Sequence, residues 1–213
     1  MGASIGWMYA SVVPDAVETL ISIDQVKPLT MTTQEAAVHY GTTLASYLEA
    51  EKKYKTQQPS FRFETALDIL IMAHEGFGVK ITREGALCLL KRATKTSPDG
   101  SGLVFTRDVR LNTLLGQYVP PETLCHFYSG MKCNMLIVIG KDGINDFTNA
   151  GIKLVYDDHK ARTEKYGGVF KSVTLEGDHF VHLTNPEKVA QDVKDYMNTV
   201  LLNSKTKDLS ISK

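Results

Sequence analysis

The sequence predicts an α/β fold with a helical insertion, because stretches of alternating strands and helices flank a long helical block. Apolar runs at 19–24, 135–139 and 169–175 have the length and composition of parallel strands that are buried on both faces. Between the first two runs, apolar residues recur at helical spacing without strands of any length. The predicted divisions are a core helix and strand over 1–27, a helical lid over 28–129 and a C-terminal core over 130–213.

The first core segment begins with a helix that we predict over 2–13 and that Pro14 ends. Small residues recur along this helix at i, i+4 spacing, so its backbone can approach a sheet closely. The strand over 19–24 follows and ends in an acidic residue, Asp24. The carboxyl end of the first predicted strand therefore carries a titratable group.

The lid is predicted from signals at helix ends. Thr32 and Glu35 form a capping box ahead of a long stretch with helical periodicity. Further helices are predicted near 63–74 and 83–92, and the stretch 94–102 is rich in turn residues. These signals indicate a subdomain built mainly from helices.

Strand and helix alternate again in the C-terminal core. The run 135–139 leads into a turn that contains Asp142, and a helix is predicted over about 147–166. The last strand leads to His179, and a final amphipathic helix begins at Pro186. Two more strands therefore end in titratable residues.

Composition excludes several classes of partner. The 213 residues carry 24 Lys and Arg against 24 Asp and Glu, which gives no electrostatic support for binding nucleic acid or an anionic membrane. No apolar run approaches the roughly 20 residues that span a bilayer. Three cysteines without metal-ligand spacing, Cys88, Cys125 and Cys133, predict free thiols in a reducing compartment. We expect a cytoplasmic protein, with a peroxisomal or vesicle-associated location as the alternative.

The strand ends are where chemistry is expected, because the carboxyl ends of parallel strands meet at one edge of a sheet. Asp24, Asp142 and His179 all occupy such ends. A histidine there can take a proton from a nucleophile, and a carboxylate beside it fixes its tautomer and stabilises the imidazolium. The pattern therefore favours a base and acid pair.

The residues around His179 carry a resemblance to a known family. Gly177–Leu183, followed by Asn185-Pro186 and a helix, resembles the catalytic-histidine loop of α/β-hydrolases. The head of the chain, 1–24, resembles the helix and strand that follow their nucleophile elbow. Within the lid, 91–94 and 102–111 resemble the serine hydrolase-like (kraken-type) branch. The resemblance spans essentially the whole chain and implies the C-terminal part of an α/β-hydrolase fold with a helical lid.

The resemblance implies that His179 is the catalytic histidine and that Asp142 is the triad acid, since the acid precedes the histidine in hydrolase chains. The turn after the second strand is one residue shorter than the usual Gly-x-x-Asp, and Gly143 stands at the expected acid position. Asp146 and Asp24 therefore stay open as alternative acids, because some α/β-hydrolases take the acid after the preceding strand.

A G-x-S-x-G pattern occurs at Gly2–Gly6, with Ser4 as its serine. A nucleophile elbow needs a preceding strand, and too few residues precede Ser4 to form one. We therefore interpret Ser4 as a packing or helix-surface residue. The resemblance places Met1-Gly2 at the end of the elbow, which implies that the nucleophile lies upstream of this chain and that the chain is truncated at its N-terminus.

The resemblance implies serine-type hydrolysis of a small hydrophobic ester or acyl substrate by the full-length parent, with this chain inactive. One alternative is an inactive fragment or a binding or regulatory remnant, and another is an aspartate-nucleophile enzyme of the epoxide hydrolase or dehalogenase type. His39, His74, His126 and His159 lack ligand spacing, so no metal is expected. No glycine-rich phosphate loop follows a strand, so no nucleotide cofactor is expected either.

Overall fold

The structure, a computed structural model, describes residues 2–28, 30–54, 59–76, 78–108 and 119–211. The chain forms two compact units, of which the first joins 1–30 to 120–213 and the second comprises 31–119. The predicted lid over 28–129 begins close to the second unit but ends later in the sequence, because 120–129 belong to the first unit. No helix in the described ranges has both the length and the apolar character needed to cross a membrane.

The first unit begins with helix α1 (Gly2–Val12), a 3-10 turn (Pro14–Ala16) and strand β1 (Thr19–Ile23). Pro14 follows the end of α1, as predicted, because its ring nitrogen has no N–H to continue the helical hydrogen bonds. Trp7 lies on the buried face of α1. Strand β1 ends directly before Asp24.

The described residues of the second unit form the helices α2 (Thr33–Tyr54), α3 (Phe63–Glu75) and α4 (Arg83–Ala93) and the short strands β2 (Thr94–Thr96) and β3 (Leu103–Phe105). The strands pair antiparallel and form a small hairpin that the helical periodicity did not indicate. The predicted capping box precedes α2. The Thr32 N–H donates to the Glu35 carboxylate at 2.9 Å, and the Thr32 hydroxyl accepts from the Glu35 N–H at 3.3 Å.

The rest of the first unit contains α5 (Pro121–Phe127), β4 (Asn134–Gly140), α6 (Ala150–Tyr166), β5 (Phe170–Leu175), α7 (Val181–Thr184) and α8 (Pro186–Ile211). Helix α6 begins later than the predicted position, 147. The cause is the Asn149 side chain, which accepts the N–H groups of Gly151 and Ile152 at 2.9 and 3.2 Å and so caps the helix.

The three long strands form one parallel sheet in the order β1-β4-β5. Residues 135–139 of the central strand are buried, as their uninterrupted apolar run predicts. The C-terminal helix is tied to the sheet by Tyr196 of α8, whose hydroxyl donates to the Val169 carbonyl at 2.8 Å. Because the strands are parallel, the turns that follow β1, β4 and β5 meet at one edge.

A fully buried aromatic cluster packs α1 onto the first unit. It consists of Trp7 in α1, Tyr128 just after α5 and His159 in α6. The His159 ring centroid lies 3.8 Å from that of Trp7 and 5.1 Å from that of Tyr128. Burial, assisted by the charge of Arg162, lowers the pKa of His159 well below its ordinary value. The ring is therefore neutral and serves as a core side chain.

Candidate active site

Asp24 and His179 meet at the carboxyl edge of the sheet. Asp24 follows β1 and His179 follows β5, and the Nδ1 atom of His179 lies 2.8 Å from Oδ2 of Asp24. A carboxylate has only acceptors, so Nδ1 carries the proton and donates it. The Asp24 side chain is completely buried, whereas 31% of the His179 side chain is exposed. The ring is thus anchored on its buried side and accessible on the other.

The buried carboxylate of Asp24 is surrounded by donors. Its Oδ1 accepts from the Gly140 N–H at 2.9 Å and from the Asn145 side-chain amide at 3.1 Å. Its Oδ2 accepts from the Ile144 N–H at 3.0 Å as well as from His179. Hydrogen bonds of this kind offset the cost of burying a negative charge. The end of β4 and the turn after it therefore supply three of the hydrogen-bond donors to a carboxylate that follows β1.

Asp24 holds this position through an unusual backbone conformation. Its φ of +48° places it in the left-handed region, which aspartate tolerates better than most residues other than glycine. Its N–H donates to the Val138 carbonyl at 2.6 Å and so extends the pairing of β1 with β4. Strained conformations of this kind cost about 1–3 kcal/mol and cluster at functional sites.

Gly143 makes room for the Asp24 carboxylate. A Cβ atom built on Gly143 would collide with both carboxylate oxygens of Asp24. Gly143 is also the residue that stands where the family pattern places its acid. A side chain at 143 and the Asp24 carboxylate would thus occupy the same space, and a larger residue at 143 would displace Asp24.

The structure does not support the predicted pairing of His179 with Asp142. Asp142 is exposed in the turn after β4, and its N–H donates to the Gly177 carbonyl at 3.0 Å. In the described part of the chain, no hydrogen bond joins its side chain to His179. The Nδ1 atom of His179 is already hydrogen-bonded to Asp24. Of the residues considered from sequence, Asp24 is the partner of His179.

Asp146, the other alternative, has a local structural role. Its carboxylate accepts from the side chain and the backbone N–H of Thr148 at 2.7 and 2.9 Å. These hydrogen bonds lower the pKa of Asp146 below its ordinary value. Asp146 therefore shapes the turn before α6.

Ser4 lies in the first turn of α1, and its hydroxyl accepts a hydrogen bond from the Gln25 side chain at 2.9 Å. The hydroxyl is thus bonded to the residue after Asp24 and not to His179. Among the described residues, no strand leads into the turn of α1 that carries Ser4. This agrees with its interpretation as a helix residue.

The cysteines and the acidic and histidine side chains were also candidates for nucleophile and metal chemistry. Burial raises the pKa of Cys125 and of Cys133 to about 11, so both thiols are protonated near neutral pH. Among the described residues, no group of three or more His, Cys, Asp or Glu side chains is arranged to hold a metal ion.

Sequence reasoning missed Asn145, which contacts Asp24 directly. Its amide nitrogen lies 3.1 Å from Asp24 Oδ1, and its amide oxygen accepts the Val26 N–H at 3.0 Å. An isolated asparagine in a turn carries no periodic signal. The only sequence hint is its place in the turn after a strand that reaches the candidate edge.

The chain resembles curated hydrolases along most of its length. It is 28% identical over 194 residues to a probable serine hydrolase of Drosophila melanogaster, covering 91% of this chain and 56% of that protein. It is 26% identical over 200 residues to a serine hydrolase-like protein of Danio rerio, covering 92% of this chain and 58% of that protein. The chain thus spans a little over half the length of these relatives. No family model matches it.

Solved structures share the fold. A hypothetical protein from Pseudomonas aeruginosa PAO1 matches with a TM-score of 0.69 at 21% identity, over 94% of this chain and 64% of that one. A thioesterase domain from the curacin biosynthetic pathway matches with a TM-score of 0.57 at 21% identity, over 89% of this chain and 60% of that one. The predicted fold class is confirmed. Together, these comparisons show that the chain has an α/β-hydrolase fold and is similar to serine hydrolase-like proteins.

Proposed function

We propose that the chain supplies the histidine and the acid of a serine-type hydrolase, with His179 as the general base and Asp24 as the triad acid. The observation that carries the proposal is the 2.8 Å hydrogen bond between His179 Nδ1 and Asp24 Oδ2. It fixes the tautomer in which Nε2 has a free lone pair. In the described part of the chain no protein group hydrogen-bonds to Nε2, so this atom is available to a nucleophile.

In the proposed reaction, Nε2 of His179 takes the proton of the nucleophilic hydroxyl while the hydroxyl oxygen attacks the acyl carbonyl carbon. Asp24 stabilises the imidazolium that forms, and its buried position strengthens this attraction. The imidazolium then protonates the leaving group as its bond to the acyl carbon breaks. In the second half-reaction His179 takes a proton from water as the water oxygen attacks the acyl carbon. The bond between that carbon and the nucleophile's oxygen then breaks, the imidazolium returns the proton to this oxygen, and the acid is released.

We place the nucleophile upstream of Met1 in a longer form of the protein, and we expect the chain as given to be inactive. The contacts of Ser4 favour this, because its hydroxyl lies within α1 and is bonded to Gln25. The greater length of the curated relatives leaves space for the remaining sheet and the nucleophile.

We propose a small hydrophobic ester or acyl compound as the substrate. The support is the similarity to a probable serine hydrolase and to a serine hydrolase-like protein, because a serine nucleophile acts on acyl compounds.

The proposal is tested with a fluorophosphonate probe, which labels activated serines. The 213-residue chain should remain unlabelled, whereas a form that extends upstream and includes the nucleophile should react with the probe. Labelling of the extended form should disappear on His179→Ala. Labelling of the given chain that is lost on Ser4→Ala would overturn the assignment of the nucleophile.

A further inference from the structure

We propose that Asn145 is a positioning residue that holds the Asp24 carboxylate in the orientation required by His179. This inference rests on the proposed function and deepens it. Within the described residues no hydrogen bond joins Asn145 to His179, and Asn145 acts through Asp24. Its amide nitrogen donates to Asp24 Oδ1 at 3.1 Å, and its amide oxygen accepts the Val26 N–H at 3.0 Å.

The two hydrogen bonds of Asn145 connect it to both sides of the turn that follows β1. One is made to the side chain of Asp24 and the other to the backbone of Val26, which is completely buried. Asp24 itself has a φ of +48°, a conformation that persists only where surrounding contacts enforce it. Asn145 thus fixes both the carboxylate and the chain direction just after it.

The chemistry of the site requires an amide at this position. The Val26 N–H needs an acceptor and Asp24 Oδ1 needs a donor, and a single planar amide provides both. An aspartate at 145 would supply only acceptors and would bring a second negative charge against Asp24. An alanine would supply neither group.

The contribution of Asn145 is separable from the other contacts of Asp24. The Gly140 and Ile144 donors to the carboxylate are backbone N–H groups, at 2.9 and 3.0 Å, and no side-chain substitution removes them. An Asn145→Ala variant therefore keeps the backbone hydrogen bonds to Asp24 but loses the side-chain hydrogen bonds to Asp24 Oδ1 and to the Val26 N–H. We expect a folded protein whose carboxylate is less firmly oriented toward His179.

The first test is the tautomer of His179, measured by long-range ¹H–¹⁵N correlation spectroscopy of the given chain at about pH 8.5, well above the ordinary histidine pKa of about 6.5. In the unmodified chain the proton should reside on Nδ1. Asn145→Ala and Asn145→Asp should shift a measurable fraction of it to Nε2. The matched control is Asn149→Ala, which removes the α6 cap and should leave the His179 tautomer unchanged.

The second test is the hydrolysis rate of the extended form with a p-nitrophenyl ester. Asn145→Ala should lower kcat about tenfold, the lower end of the losses seen when supporting residues are removed, with KM little changed. Equal tautomers and rates in Asn145→Ala and Asn149→Ala would overturn the role of Asn145. If Asp24→Asn leaves the His179 tautomer unchanged, the base and acid pairing itself is wrong, so the two failures are distinguishable.

Discussion

Replacement of Asp24 by asparagine tests the site sharply, because it preserves the shape of the side chain and exchanges one oxygen for an NH2 group. In the structure, Oδ1 faces donors from Gly140 and Asn145, and Oδ2 faces donors from Ile144 and His179. Whichever way the new amide is oriented, its NH2 group faces two donors. Two hydrogen bonds are therefore lost in either orientation.

The size of the effect follows from this count. Hydrogen bonds to a charged group contribute about 1.5–3 kcal/mol each. A neutral amide is easier to bury than a carboxylate, which offsets part of the loss. We expect the free energy of unfolding of Asp24→Asn to fall by about 2–4 kcal/mol. In the extended form, kcat should fall by about 10⁴, because the histidine can adopt the tautomer whose Nε2 carries the proton.

Denaturant unfolding of the given chain measures the first quantity, and ester hydrolysis by the extended form measures the second. The matched control is Asp142→Asn, the same exchange at the acid that the sequence favoured. Asp142 is exposed, so we expect stability to change by less than about 0.5 kcal/mol and the rate to be preserved. Loss of activity in Asp142→Asn with an active Asp24→Asn would refute the reasoning.

Two further predictions concern packing and pH. Gly143→Ala places a Cβ against the Asp24 oxygens and should lower the free energy of unfolding by about 1–3 kcal/mol; Gly41→Ala, where no atom lies within 4 Å of the added Cβ, should not. If calorimetry finds the same free energy of unfolding for Gly143→Ala and the unmodified chain, the close contact between Gly143 and the Asp24 carboxylate is contradicted. For His159, the pKa is lowered by burial, so only the unfolded state takes up its proton as the pH falls below about 6.5. Stability should then be complete above that pH and decline below it by up to about 1.4 kcal/mol per pH unit. His159→Phe should flatten the profile, and the exposed His126→Phe should not; equal profiles in denaturant titrations would count against a buried neutral ring.

The sequence predicted the sheet of the first unit well because its signals are local. The uninterrupted apolar run at 135–139 and the proline at position 14 act within a few residues, and both strand and helix end where these signals indicate. The predicted start of α6 at 147 was wrong because the Asn149 side chain caps the helix two residues later in the sequence. The hairpin of β2 and β3 was missed because three-residue strands leave little periodicity.

The sequence predicted the edge of the sheet at which the candidate site lies, but not which side chains contact each other there. Parallel strands bring Asp24, Asp142 and His179 to one edge, and this follows from the strand pattern alone. Which carboxylate reaches His179 depends on the left-handed backbone of Asp24 and on the absent side chain of Gly143. Neither is a periodic property of the sequence, so the sequence pattern favoured Asp142, whereas in the structure it is Asp24 that contacts His179.

The relation between Asp24 and Gly143 also restricts how this site can change by mutation. An aspartate introduced first at 143 would bring two negative side chains into a volume that holds one. Removal of the carboxylate at 24 first would leave Nδ1 of His179 without its hydrogen-bond partner. Transfer of the carboxylate from position 24 to position 143 therefore requires both substitutions together, because either single variant disturbs the contact with His179.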